Sequence, residues 1–147
     1  MNTHGKATTS TFLAMLCLAA CLSAPLHAYG APGNGELVAH LQQTFGLNEG
    51  QVHNALGTLL VYARERLPKP DFDDLAERMP RADAAMRSVK SQGIVTRPLD
   101  SRSDYEKALS VAGVPASQAA QFAPAVIEYL GTAGYTREHD MLARVFD

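Results

Sequence analysis

The chain has 147 residues, 46% of them hydrophobic and 19% charged, with a formal net charge of −2 and a mean hydropathy of −0.10. That size suits one domain. The near-neutral charge offers no clustered Lys/Arg footprint to neutralise phosphates, so nucleic acid is excluded as a partner class. Trp is absent and Gly, Pro and Ala are frequent, which argues against an aromatic-lined sugar or peptide groove.

The first 28 residues read as a secretory leader. Lys6 is their one firm charge, Phe12–Leu22 is an apolar run too short to span a bilayer, and Ser23–Ala28 is a helix-breaking, small-residue stretch. Two processing routes compete. Signal peptidase would cut after Ala28, leaving a periplasmic or secreted protein. Alternatively, Leu18-Ala19-Ala20-Cys21 matches the bacterial lipobox, so the leader would be 1–20 and Cys21 a lipidated first residue anchored in the envelope. Cys17 and Cys21 are the only cysteines. The remainder therefore has no disulfide and no thiolate metal site, and must fold by core burial alone.

Residues 29–35 read as a linker and 36–147 as a single all-α domain. Leu37, Val38, Leu41 and Phe45 make the stripe of a first helix, stopped by Gly46. Asn48 to Gln51 is a capping box for a second, whose apolar positions are Val52, Ala55, Leu56, Leu59, Leu60 and Ala63. Pro70 suits the first turn of a third helix, where Asp71, Asp73 and Asp74 complement the dipole and Phe72, Leu75, Ala76 and Met79 face inward. A short fourth helix covers about 82–89, and 91–102 lacks a period and reads as a loop. Ser103 to Glu106 predicts the cap of a fifth helix, which Gly113 stops. The sixth runs from about 116 to 130 with Pro124 inside it, ended by Gly131 and Gly134. Thr136 is expected to cap the seventh, which buries Met141, Leu142, Val145 and Phe146. The predicted fold is a compact bundle of about six to seven short helices.

An internal repeat is visible at a shift of 67 positions. Phe45-Gly46-Leu47 falls on Ala112-Gly113-Val114, Gln51 on Gln118, Leu59-Leu60 on Val126-Ile127, and Tyr62 on Tyr129. Two similar α-hairpins related by a pseudo-twofold are expected, with helices three, four and seven covering the ends. Gly57 implies a close helix contact, and Pro124 at its repeat position suggests that the two long helices cross near their middles.

Leu37-Val38-x-x-Leu41, Phe45-Gly-Leu-Asn48-x-x-Gln51, Asp71-Phe72-x-x-Leu75, Met79-Pro80 and Gln121-Phe122-x-Pro124-x-Val126-Ile127-x-Tyr129-Leu130 together resemble the bacterial VcgC/VcgE-type family of unknown function. The second half is also similar to the turn-and-helix repeat of YidB-like proteins. The resemblance spans about residues 36–146. These are turn and packing motifs, so the resemblance implies a fold and no catalytic residues. The chain departs from it at 87–104, where Arg87, Lys90, Arg97 and Arg102 make a hydrophilic stretch, so no partner surface carries over there.

Candidate chemistry is sparse. Glu138-His139-Asp140 are consecutive, so helical side chains about 100° apart cannot converge on one ion. They read as an exposed first turn. His40 and His53 lack ligand spacing, Asp71, Asp73, Asp74 and Glu77 read as solvated acids, and Ser110 and Ser117 have no nucleophile elbow. No catalytic residue, metal or cofactor is expected. Tyr62 and Tyr129, with Leu59, Leu60, Val126 and Ile127, are the candidates to line an apolar groove between the hairpins.

The expected function is a non-enzymatic interaction or structural module of the envelope, bound to another envelope protein. Its rival is a carrier of a small apolar ligand or lipid, and an enzyme ranks third. A cavity at the four aliphatic candidates would favour the carrier. A filled core with an exposed apolar patch would favour the module. Leftover apolar surface on short helices would suit a homodimer.

Overall fold

A computed structural model of the protein describes residues 34–79 and 81–147; the leader, both cleavage sites and Cys21 lie outside the described residues. Seven helices follow one another, with no strand among the described residues. They are α1 (Asn34–Phe45), α2 (Glu49–Arg64), α3 (Lys69–Arg78), α4 (Ala82–Ser91), α5 (Arg102–Val111), α6 (Ala116–Thr132) and α7 (Thr136–Phe146). The protein is all-α, and its buried side chains form one continuous core from Leu37 to Leu142.

The turns explain where helices stop. Gly46 (φ 66°) and Gly113 (φ 101°) adopt the left-handed conformation that an L side chain resists. Each is followed by a buried plug, Leu47 and Val114. At the second turn Gly113 N–H donates to the Ser110 carbonyl and Val114 N–H to that of Leu109 (3.0 Å), which satisfies carbonyls the helix leaves open. The Asn48 capping box is complete: its side chain accepts from Gln51 N–H (2.9 Å), and the Gln51 side chain accepts from Asn48 N–H (3.0 Å). The same Gln51 side chain donates to the Gly113 carbonyl (3.1 Å) and so ties one hairpin's cap to the other's turn.

The two hairpins, α1–α2 and α5–α6, pack crosswise. Short α1 lies on long α6, and short α5 on long α2, the reciprocal arrangement that a pseudo-twofold produces. Gly57 is not the contact between the long helices that its place in the repeat suggested. Gly57 instead faces α4: a Cβ there would fall 2.5 Å from the Ala85 carbonyl oxygen and 3.0 Å from Val89 Cγ1. Pro124 is exposed. The main partner of α4 is α2, and that of α7 is α6.

Three local expectations shift. The α5 cap is Ser101, two residues ahead of Ser103, with its side chain accepting from Asp104 N–H (3.1 Å). The same three-residue spacing recurs there, and buried Leu99 fixes the chain entering it. Thr136 is the first residue of α7 rather than its cap, because Tyr135 takes the boundary position. Gly131 stays inside α6, where His139 packs over it; Gly134 (φ 86°) makes the stop.

Candidate functional site

The last turn of α2, the first turn of α5 and the last turn of α7 converge on three aromatic rings. Tyr62, Tyr105 and Phe146 have centroid separations of 4.9, 5.1 and 5.2 Å, each ring touching the other two. Rings at that spacing fill the volume between them. The Arg66 guanidinium lies 3.5 Å above the Tyr62 ring centroid, one helical turn on, and it donates to the Asp100 carbonyl (2.9 Å). Neighbouring Glu65 accepts from Leu99 N–H (2.9 Å). The α4–α5 connection is thus bolted to α2 and anchored by buried Val95 and Leu99. From the other side, Arg102 donates to the Phe146 carbonyl (3.2 Å) and pairs with Glu106 (3.3 Å).

One atom of this cluster is unsatisfied. Tyr105 is 1% exposed, and its hydroxyl has no hydrogen-bond partner among the described residues. Burial pushes its pKa far above the ordinary tyrosine value; Glu106 and Tyr62 add to the rise, and Arg102 opposes it.

Tyr129, the repeat counterpart of Tyr62, has different company. It is half-buried in the α1–α6 seam, its ring 5.1 Å from that of His40. Desolvation raises its pKa, with Glu36 and Tyr135 contributing. Leu59, Leu60 and Val126 are enclosed in the core, and Ile127 packs against it partly buried. Tyr62 and Tyr129 therefore sit on separate seams, although the aliphatic candidates share one core.

The polar candidates are also placed apart. His53 lies 3.5 Å from Glu49 on its own helix, while His40 stacks on Tyr129. Glu138 is not exposed: it is buried and faces Arg78 of α3 at 3.8 Å. His139 Nδ1 lies 2.9 Å from an Asp140 carboxylate oxygen. Asp71 and Asp74, read as solvated acids, pair across to α7 with Arg144 (3.4 Å) and Arg137. Glu138 is on the side of α7 that meets α3, while Thr136, Arg137 and Asp140 of the same turn stay exposed. Among the described residues no group of three or more His, Cys, Asp or Glu side chains is placed to hold a metal ion.

Sequence reasoning singled out Tyr62 for this site but not Tyr105, Phe146, Glu65, Arg66 or Arg102. The four-residue step from Tyr62 to Arg66 was a usable signal for stacking. Nothing local announces the reach of Arg102 to a carbonyl 44 positions later.

The family model for "Protein of unknown function VcgC/VcgE (DUF2780)" matches residues 14–144. The chain belongs to this family. No curated protein and no solved structure matches the chain. For this VcgC/VcgE member, family membership assigns no reaction.

Proposed function

We propose that this VcgC/VcgE-family chain is an exported, non-enzymatic interaction or structural module of the bacterial envelope. The observation that carries this reading is the placement of the core candidates. Leu59 and Val126 are 0% exposed, and Leu60 is 2% exposed, within one continuous core. The polar residues that chemistry would need are spread over separate seams, and several serve to join helices. Among the described residues, Val111 is the one large hydrophobic side chain that is strongly exposed. Partner recognition would therefore use polar helix faces rather than the apolar patch expected of such a module.

Intact mass of the protein extracted with detergent from its native bacterium is the test. A chain beginning at Cys21 with acyl groups, or one beginning at Tyr29, supports an envelope location. A chain still carrying its leader overturns it. In the same sample, a small apolar molecule retained at one per chain under native spray would replace the module reading with the carrier.

A further inference from the structure

We propose that α3 is an electrostatic clasp, a helix that leaves the bundle as a unit when the ion pairs joining it to α7 are screened. The proposal stands on how unevenly α3 is held. It contributes Phe72, Leu75 and Met79 to the core, one narrow stripe at positions i, i+3 and i+7. Its other attachments run along α7. Asp71 faces Arg144 at 3.4 Å, Asp74 faces Arg137, and Arg78 faces buried Glu138 at 3.8 Å. Four of these six side chains are mostly solvent-exposed or nearly half so: Arg144 at 62%, Arg137 at 67%, Arg78 at 60% and Asp74 at 45%. Such pairs weaken in salt.

The ends of α3 are weakly fastened to the rest of the chain. Pro68 and Pro70 enter it, and no side chain caps its first turn, in contrast to the complete capping box of α2. On the exit side Arg81 holds φ at 66°, a left-handed conformation that strains a non-glycine residue and that opening would relieve. Few buried contacts, exposed pairs and a strained exit mark a segment that opens below the free energy of global unfolding.

Hydrogen exchange on the purified protein tests this, comparing amides of α3 with those of α2. Between about 0.01 M and about 1 M NaCl the Debye length falls from roughly 30 Å to roughly 3 Å. The expected result is an increase of about tenfold in α3 exchange with α2 unchanged. Asp74→Arg should raise α3 exchange at low salt, and adding Arg137→Asp should restore it. Salt-independent α3 exchange, exchange of α3 only together with α2, or failure of the swap to restore protection would each overturn the clasp. The wild-type salt series decides the question even where a variant folds poorly.

Discussion

Along the α2–α4 seam the closest approach is backbone to backbone at Gly57, whereas along the α3–α7 seam it is guanidinium to carboxylate. At Gly57 the first seam has no room for a Cβ, while the ion pairs of the second are largely exposed, and such pairs weaken in salt. Dispersion and apolar burial fall off within an ångström of misfit. Surface ion pairs tolerate rearrangement and contribute little each. The two seams lie in one small bundle, one closed by packing and the other by largely exposed ion pairs.

The largest expected effect comes from filling the tight seam. Gly57→Val should lower unfolding free energy by about 3 kcal/mol in urea titrations, since the new carbons meet the Ala85 backbone. The loss should be the same at low and high salt. A neutral result would mean that α4 is loosely held too, and the contrast between seams would disappear.

Next in size is the cap. Asn48→Ala should cost about 1 kcal/mol by removing the bond to Gln51 N–H, again without salt dependence. It should leave α3 exchange untouched, because α3 has no such cap to lose.

Tyr105→Phe probes the flaw within the apolar layer. Removing an unpaired buried hydroxyl should leave stability at neutral pH unchanged or raise it by up to about 1 kcal/mol. The pH dependence has a definite sign. With the folded pKa raised, the unfolded chain loses its phenolic proton first, near pH 10. Above that pH the wild-type protein loses stability at up to about 1.4 kcal/mol per pH unit from this group, and the variant should lack that share. A destabilised Tyr105→Phe would show that the hydroxyl is hydrogen-bonded in the folded protein after all.

Smallest is the ionic seam itself. Asp74→Ala should cost about 0.5 kcal/mol at low ionic strength and nothing measurable in about 1 M salt, read from denaturation midpoints. A loss that persisted in high salt would make this seam a packing contact like the other.

The helices were legible in the chain because their determinants are local. The Asn48–Gln51 box and the Gly46 and Gly113 stops act within a few residues and are where their patterns put them, whereas the burial of α2 spreads beyond its stripe to Thr58, Val61 and Tyr62 and leaves Leu56 partly exposed. The candidate site was legible only in part. The repeat paired Tyr62 with Tyr129 along the chain, and the two do not have equivalent neighbours. Tyr62 is surrounded because Tyr105 and Phe146 arrive from α5 and α7, while Tyr129 meets His40 from α1.

By itself, the sequence determined that this part of the chain is helical, where most helices stop, which residues are apolar enough to be buried, and the family to which the turns belong. Only the tertiary structure decided what each face meets: that Gly57 receives α4, that Glu138 turns inward, and that the acids of α3 face the arginines of α7. The physical reason is one of range. Caps, propensities and amphipathic periods are written within a turn or two of helix. The choice of partner depends on the shapes and charges of faces brought together from dozens of residues apart.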